Sequence, residues 1–361
     1  MLLMLVDHTR EFFDFHAQVS DPMDLATTPP SLFFTRITAH LCAPMFLLLT
    51  GLAAWLYGAG NGGGTAASRF LFKRGLFLVV LEVTIVNFAW SFDFTPDIVY
   101  LQVIWAIGLS MIALAGLLHL PRGVLVGVAL ILLLGHNLLD GIDISAGSPW
   151  SVPWAILHDR GFIDLPWGGR ARTSYPILPW IGVIALGYAI GPGFAARVSP
   201  AVRGRWLIGA GLVMLALFTM LRVRNFYGDP LPWQVGPTPL ATLMSFLNLT
   251  KYPPSADFLL LTLGLGVLIL AALEPMRGRA VAALAVFGSA PLFFYLLHLY
   301  LLHGINRAAG LMLPHAHALV SAPSVASLWA IAAIVAIPCW FACRDFAARK
   351  RRSGRWWMRY L

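Results

Sequence analysis

Residues 32–57 read LFFTRITAHLCAPMFLLLTGLAAWLY, and only one side chain in this stretch, that of Arg36, carries a formal charge at neutral pH. A helix needs about 20 predominantly apolar residues to cross the hydrocarbon core of a bilayer. The stretch meets this requirement and therefore predicts a membrane-spanning helix. Arg36 and His40 stand out in it because they are polar groups placed inside an apolar run.

The rest of the chain has the same apolar character. Of the 361 residues, 59% are apolar and 11% are charged, and the mean hydropathy is +0.77. A soluble domain has roughly 25% charged residues, so this composition argues against a soluble fold, a disordered tail and a nucleic-acid-binding protein. We expect Cys42, Cys339 and Cys343 to be packing residues, since their spacing suits neither a disulfide framework nor a metal site.

Nine stretches are long enough to span a bilayer. They are residues 32–57, 75–92, 98–118, 121–138, 176–194, 206–222, 256–273, 281–303 and 324–342. Residues 1–16 begin with a short apolar run, which we interpret as the outer end of a tenth helix that is truncated at its N-terminus. The expected fold is therefore an all-α, polytopic membrane helix bundle of about ten transmembrane helices.

The distribution of charge orients this bundle. If the C-terminus is cytoplasmic, the inner side holds sixteen basic residues against two acids, Glu274 and Asp345, and the outer side holds nine basic residues against thirteen acids. The inner basic residues are Arg69, Lys73, Arg74, Arg122, Arg197, Arg203, Arg205, Arg277, Arg279 and the seven from Arg344 to Arg359. Every alternate loop agrees, so the positive-inside rule predicts cytoplasmic termini. We divide the chain into a transmembrane domain, residues 1–345, and a basic cytoplasmic tail, residues 346–361, that anchors to anionic lipid.

Two helices carry ionisable groups at similar predicted depth. Asp7 and His8 are sequence neighbours, which do not face each other on a helix, so each needs a partner from another helix. Arg36 and His40 lie four residues apart on one helical face, and Pro44 is expected to kink the helix one turn later. An ion pair between Asp7 and Arg36 is the simplest way to neutralise two buried charges. The alternative interpretation is an Arg36 that snorkels to the interface and a structurally satisfied His40.

Three further ionisable groups lie in predicted spans. His298 is expected at the same outer depth as His8 and His40, with Tyr295 one turn away on its face, and a structural role competes evenly with a functional one. His303 is expected at the membrane interface, and His315 and His317 in a solvated loop. Glu82 is expected to form a buried ion pair with the basic residues 69–74.

Two motifs open predicted helices on the outer side. They read YPILPWIG at residues 175–182 and KYPPS at residues 251–255. Proline at helix starts and aromatic residues at the interface account for most of both motifs. Lys251 is not accounted for in this way, and it is a candidate for holding an anionic or polarised substrate group.

Histidines that titrate near neutrality, a carboxylate and two cations suit acyl or proton transfer. The motifs of zinc proteases, serine hydrolases and ATP-driven pumps do not occur in a suitable context. The glycine-rich stretch 58–64 most simply forms a flexible turn before a basic anchor. The competing interpretation is that it receives the phosphates of a cytoplasmic nucleotide-bearing donor.

Six stretches of the chain resemble one family. They are MLVDHTR (4–10), FFTRITAHLCAPMFL (33–47), FKRGL (72–76), YPILPWIG (175–182), KYPPS (251–255) and FYLLH (294–298). Together they are similar to the bacterial branch of the heparan-alpha-glucosaminide N-acetyltransferase catalytic-domain family, over residues 1 to about 345. Stretches 33–47 and 251–255 are the most specific.

This resemblance implies a multi-span acyltransferase of the bacterial inner membrane. The acyl donor would be cytoplasmic acetyl-CoA and the acceptor an amino sugar or glycan on the periplasmic side, with no metal, and we also allow for a homodimer. The candidate catalytic residues are His40, His8, Asp7 and His298. The candidate substrate-binding residues are Arg36, Arg10, Lys251, Tyr252, Trp180 and Tyr295, and those for the donor are Arg69, Lys73 and Arg74.

The chain departs from the family pattern at two points. An Asp and an Arg-Gly pair usually precede the first helix, whereas this sequence starts after that point. The lysosomal members carry their proposed catalytic histidine in the first outer loop, in a Trp-Asn-Gly context. Here that loop offers only His16 without this context, so His8 and His40 are the substitutes.

Transport is the alternative function. Histidine and aspartate inside a membrane also serve proton relays, as in transporters of amino sugars or of proton-coupled solutes. The sequence has no evident inverted repeat, which weakly disfavours a transporter. A passive scaffold ranks last because it leaves the buried charges without a reason.

Overall fold

The apolar stretches are rich in Leu, Ala and other good helix formers, and they fold as helices. The computed structural model describes residues 1–13, 19–145, 147–312, 320–353, 355 and 358. The helices of this described part are α1 (Leu2–Phe13), α2 (Pro30–His40), α3 (Cys42–Asn61), α4 (Gly64–Leu81), α5 (Asn87–Ser91), α6 (Val103–Leu117), α7 (Arg122–Leu134), α8 (Ser151–Leu157), α9 (Leu178–Ala189), α10 (Pro200–Arg224), α11 (Pro239–Leu247), α12 (Ala256–Leu273), α13 (Arg279–Ser289), α14 (Pro291–Met312) and α15 (Val325–Arg352). A π-helical turn, Glu82–Val86, joins α4 to α5.

Within the described residues, four helical segments are long and apolar enough to cross a membrane. They are Pro30–Asn61 (α2 with α3), Pro200–Arg224, Ala256–Leu273 and Val325–Arg352. The bent pair α13 and α14 makes a fifth if it counts as one span. Shorter apolar helices are Val103–Leu117, Arg122–Leu134 and Leu178–Ala189. The structure thus confirms a mostly helical protein with four to five candidate spans.

Prolines interrupt two of the predicted spans. Residues 281–303 are expected to form one helix, but α13 and α14 meet at 82°. Pro291 disfavours a helical conformation at Ala290, which adopts φ −143° and ψ 66°. Within residues 32–57 the helix breaks at Leu41. Pro44 has no N–H group, so it cannot donate the helical hydrogen bond to the carbonyl oxygen of His40.

A small sheet corrects the all-α expectation. Its strands are β1 (Ile98–Leu101), β2 (Phe162–Asp164) and β3 (Arg170–Thr173), in the order β1-β3-β2. β3 pairs parallel to β1 and antiparallel to β2. The sequence IVYL of β1 consists of residues that favour strands, although hydropathy alone assigned it to the start of a span.

The described chain divides into two compact units. The terminal unit comprises Met1–Cys42, Phe88–Phe92 and Met276–Leu361, and the central unit comprises Ala43–Asn87 and Asp93–Pro275. In the terminal unit, α1 packs on α2, α14 and α15, and α13 packs on α14 and α15. In the central unit, the main pairs are α4 with α6, α7 with α9, and α10 with α12.

Glycines bring the helix pairs of the central unit into close contact. A Cβ atom on Gly75 of α4 would lie 2.6 Å from the carbonyl oxygen of Gly108 on α6, and one on Gly108 would lie 2.8 Å from that of Gly75. Gly211 of α10 and Gly264 of α12 show the same reciprocal relation at 3.0 and 3.2 Å. Small residues that let backbones approach are typical of helix association in membranes.

Glu82 joins the π-helical turn to the start of α6 in the central unit, but not through the expected ion pair. Its two carboxylate oxygens accept hydrogen bonds from the backbone N–H groups of Gln102 (3.2 Å) and Trp105 (3.1 Å) at the start of α6. A helix N-terminus has unsatisfied N–H groups and favours negative charge. In the described chain Glu82 has no arginine or lysine partner, so the prediction of a pair with residues 69–74 is wrong.

Two histidines that sequence reasoning passed over join separate segments of the central unit. His158 Nε2 lies 3.1 Å from the carbonyl oxygen of His136 and 3.3 Å from Asp140 Oδ1, and its Nδ1 lies 3.0 Å from Asp159 Oδ1. His136 Nε2 in turn lies 2.8 Å from the carbonyl oxygen of Pro254. Burial lowers the pKa of His158, but the two carboxylates outweigh it and raise that pKa to about 8.

We expect Gly75→Ala to destabilise the protein. The new methyl group would clash with backbone of α6, and overpacking of this kind costs about 1–3 kcal/mol. The free energy of unfolding in a mixed-detergent titration measures the effect. Gly127→Ala on α7 is the matched control, because its Cβ meets nothing within 4 Å, and it should be neutral or stabilising. Equal stability of the two variants would contradict the close packing of α4 on α6.

We expect the stability of the protein to fall as pH rises from 6.5 to 9. The pKa of His158 is about 8 in the folded protein and near 6.5 when unfolded. Its contribution is therefore complete below pH 6.5 and lost as pH rises through 8, on the order of 1 kcal/mol after screening. Melting temperatures measured across this pH range should show the decrease in the wild-type protein and in His119→Gln, which alters an exposed histidine. The decrease that His158 causes should be absent in His158→Gln.

Candidate functional site

The ionisable groups of α1 divide between two faces. Asp7, Arg10 and Glu11 are spaced i, i+3 and i+4 and therefore share one face, while the neighbouring His8 points elsewhere. Arg10 is buried and Asp7 is half-buried. Groups that are buried in this way need partners inside the protein, because water is not available to solvate them.

A cluster of ion pairs joins α1 to α2. Arg36 Nη1 lies 2.8 and 2.9 Å from the two carboxylate oxygens of Asp7. Arg10 donates from Nε to Asp7 at 3.3 Å and from Nη2 to Glu11. Arg36 also lies 3.9 Å from Glu11. Two arginines thus meet two carboxylates, and the structure contains the Asp7–Arg36 pair expected from the sequence. Glu11 was missed, although its i+4 spacing from Asp7 indicated the shared face.

The partner of His8 is His298 on α14. His8 Nδ1 lies 2.6 Å from His298 Nε2, and the two rings are nearly parallel, at 13°. His298 Nδ1 lies 2.6 Å from the carbonyl oxygen of Phe294, which can only accept a hydrogen bond. His298 therefore donates from Nδ1 and, when neutral, accepts at Nε2. His8 must then donate from Nδ1, so neutral His8 carries its lone pair on Nε2.

Aromatic rings surround this imidazole pair. The ring of His8 meets Trp90 edge-on at 5.2 Å and Tyr295 edge-on at 5.7 Å between ring centres. Tyr295 also lies 5.8 Å from His298, and Phe294 lies 4.9 Å from it. Low-polarity surroundings strengthen the hydrogen bond between the imidazoles. Trp90 was missed by sequence reasoning, because an aromatic residue near a span end is expected in any membrane protein.

His303 is not an interfacial residue as expected. It is buried, and its Nδ1 lies 2.9 Å from the carbonyl oxygen of Ala89. Its ring stacks on Phe92 at 3.8 Å between centres. Arg307 donates to its Nε2 at 3.3 Å. His303 thus holds the segment 88–92 against α14 instead of facing the lipid headgroups.

The remaining histidines of the prediction have different positions. His40 is buried at the end of α2, on the face that carries Arg36. His16, His315 and His317 lie outside the described residues. The described part of the terminal unit therefore contains two sets of direct contacts, one of Asp7, Arg10 and Arg36 and one of His8, Tyr295 and His298.

A second cluster occupies the central unit. The hydroxyl oxygens of Tyr175 and Tyr252 lie 3.0 Å apart. The Arg160 guanidinium lies 4.6 Å, and Lys251 Nζ 5.0 Å, from the centre of the Tyr252 ring. Trp180 is fully buried, and its ring centre lies 6.0 Å from that of Tyr175. Lys251, Tyr252 and Trp180 thus lie in a cationic, aromatic cluster of their own, as components of a different unit from His8.

The candidate donor-binding residues lie on α4. Arg69 and Lys73 are exposed and four residues apart, so they share one face of the helix. Arg74 is half-buried and lies 5.9 Å from the ring centre of Phe70. The glycine-rich stretch is largely helical, and only Gly62 and Gly63, both at positive φ, form the turn before α4.

Among the described residues, no group of three or more His, Cys, Asp or Glu side chains is arranged to hold a metal ion. The side chains of the two clusters are imidazoles, carboxylates, cations and phenols. These groups can move protons, bind anions and polarise a carbonyl group.

Fold and site together define a helical membrane protein with a buried set of ionisable side chains. The model of the family described as heparan-alpha-glucosaminide N-acetyltransferase, catalytic, matches residues 1–225. This is more than half of the chain, and the chain belongs to this family. The family is one of membrane acetyltransferases that in general use acetyl-CoA. No curated protein and no solved structure matches the chain.

The matched segment covers the ion-pair cluster and His8, but not the whole site. Residues 1–225 contain α1, α2 and α4. Lys251, Tyr252, Tyr295 and His298 lie beyond the match, so their assignment depends on the contacts in this structure.

We expect Asp7→Asn to destabilise the protein by about 2–4 kcal/mol, because it removes the carboxylate charge that the buried Arg36 contacts through both oxygens. The double variant Asp7→Leu/Arg36→Met should regain most of this loss, since it removes both charges. A mixed-detergent unfolding titration measures all three. Asp345→Asn is the control, because its ion pair with Arg344 is exposed and should change stability by less than about 0.5 kcal/mol.

Proposed function

We propose that this protein is an acetyltransferase of the bacterial inner membrane. It moves an acetyl group from acetyl-CoA on the cytoplasmic side to the amine of an amino sugar or glycan on the periplasmic side. Membership of the family supports acetyl transfer. The hydrogen-bonded His8–His298 pair, with a lone pair on His8 Nε2, is the observation that carries the assignment of the chemistry.

In this proposal His8 is the general base. The amine nitrogen of the acceptor attacks the carbonyl carbon of the thioester, and its proton passes to His8 Nε2. A C–N bond forms and the C–S bond breaks, and the leaving thiolate takes the proton back from His8. Proton transfer by a placed imidazole contributes about 10²–10⁴-fold to a rate.

His298 acts through His8 and is a positioning residue. Its Nδ1 is committed to the Phe294 carbonyl, so its Nε2 accepts the Nδ1–H of His8. This arrangement directs the His8 lone pair to Nε2 and stabilises the imidazolium that forms when His8 takes the proton. His298 thus orients the base His8, in the way that a third group orients the base of other activated catalytic sites.

The ion-pair cluster supplies rigidity. Asp7 is held by both arginines and fixes α1, which carries His8, to α2. Arg36 and Arg10, with Tyr295, are assigned to substrate binding in the same proposal. His40 is the second candidate for proton transfer, because it is a buried imidazole on the face of α2 that carries Arg36.

We assign substrate binding in the central unit from the polar groups that its side chains offer. Lys251 and Tyr252 offer a cation and a phenol to a polar acceptor, and Trp180 offers an indole N–H. The exposed Arg69 and Lys73, with Arg74, are assigned to the phosphates of acetyl-CoA, whose charge they complement. The same proposal includes ten spans, cytoplasmic termini and a lipid-anchored tail, which the charge pattern of the sequence supports. It also allows for a homodimer.

The test is acetyl transfer by purified protein in nanodiscs, with radiolabelled acetyl-CoA and glucosamine. We expect labelled N-acetylglucosamine, and we expect His8→Ala to reduce turnover by about 10²–10⁴-fold because the general base is removed. His119→Ala is the control, since His119 is an exposed histidine outside both clusters, and it should retain wild-type turnover.

Two results would overturn the proposal. The first is no transfer to glucosamine or to glycans with a terminal glucosamine. The second is wild-type turnover in His8→Ala, whatever turnover His40→Ala retains. Uptake of labelled N-acetylglucosamine into proteoliposomes without CoA would instead favour a transporter.

A further inference from the structure

Trp90 lies beside the proposed base without taking part in any step described so far. Its ring stacks on Phe12 at 5.0 Å between centres and meets His8 edge-on at 5.2 Å. Both partners are on α1, four residues apart and therefore on neighbouring turns of one face. Trp90 itself is on α5, within the part of that helix that belongs to the terminal unit.

The indole N–H of Trp90 is a buried donor with no hydrogen-bond partner among the described residues. Buried donors are almost always paired, because an unpaired one costs free energy. Other tryptophans of this chain follow the rule: Trp329 donates to Thr35, Trp340 to the Ala283 carbonyl, and Trp233 to the Arg222 carbonyl. An unpaired donor next to His8 therefore needs an explanation.

The position of the Trp90 ring is fixed from both sides along the chain. The preceding carbonyl, that of Ala89, accepts a hydrogen bond from His303 at 2.9 Å. Two residues later, Phe92 stacks on the ring of His303 at 3.8 Å. These contacts and the stacking on Phe12 hold the indole before any ligand binds. Preorganised donors of this kind are the ones that stabilise charge as it develops in a transition state.

Within the described chain, Trp180 is the other tryptophan whose indole N–H is buried without a partner. It belongs to the cationic, aromatic cluster of the central unit, to which substrate binding is assigned above. Both unpaired indole donors thus occur in clusters that have a ligand to bind in the proposed function. Trp233, Trp329 and Trp340, whose indole N–H groups have partners, are members of neither cluster.

We propose that Trp90 is a catalytic residue whose indole N–H donates a hydrogen bond to the oxygen of the acyl group under attack. The inference rests on the proposed function. When the amine attacks, the carbonyl π electron pair moves onto this oxygen, and the N–H stabilises the oxyanion. When the C–S bond breaks, the pair returns to the carbonyl. Trp90 keeps its proton throughout, and the amine proton travels through His8.

The test compares Trp90→Phe with Trp340→Phe in the acetyl-transfer assay and in a thermal melt. Phenylalanine keeps an aromatic ring against Phe12 but has no donor. Because the bond forms with the charged transition state, we expect Trp90→Phe to lower kcat by about 10²–10³-fold with KM for acetyl-CoA little changed. Its melting temperature should fall by less than that of Trp340→Phe, since both variants lose the indole volume but only Trp340→Phe also loses a hydrogen bond.

Trp340→Phe should behave in the opposite way. It removes a hydrogen bond that the fold uses, so we expect a lower melting temperature and an unchanged kcat. Wild-type kcat in Trp90→Phe, with an active wild-type protein, overturns the role of Trp90 and leaves the proposed function intact. A lower kcat accompanied by an equal loss of folded protein shows a packing role and also overturns it. An inactive wild-type protein overturns both.

Discussion

The ion pair between Asp7 and Arg36 is the interaction on which the proposed site depends. Arg36 binds both oxygens of the carboxylate, and Arg10 and Glu11 complete a cluster of two cations and two anions. In an apolar setting such charges persist only when each has a close partner. The cluster fixes α1 to α2, and α1 places His8 against α14. The geometry of the imidazole pair therefore follows from how the chain neutralises its buried charge.

Much of this site could be predicted from residue spacing. Neighbouring residues on a helix diverge, so Asp7 and His8 had to find separate partners, and they do so in Arg36 and His298. The particular partner of His8 could not be predicted, because α14 follows it by almost 300 residues and a hydropathy pattern carries no information on distant contacts. Trp90 was not predicted for a related reason, since the lack of a partner for its indole N–H follows from packing and cannot be read from the sequence.

The fold was predictable to a similar extent. Apolar length correctly predicts a helical membrane protein, but it does not separate a strand such as Ile98–Leu101 from the start of a span, and it passes over the bend at Pro291. The Glu82 carboxylate was rightly assigned to a structural role and wrongly assigned to a cationic partner. Its partners are backbone N–H groups, which no side-chain pattern in the sequence reveals.

The central claim is that His8 Nε2 takes the proton of the attacking amine. A structure of the protein in nanodiscs with a non-hydrolysable acetyl-CoA analogue tests this most directly. We expect the acyl carbon within about 5 Å of His8 Nε2, with room for an amine between them. An analogue whose acyl group lies away from His8 and beside His40 or Lys251 instead would contradict it.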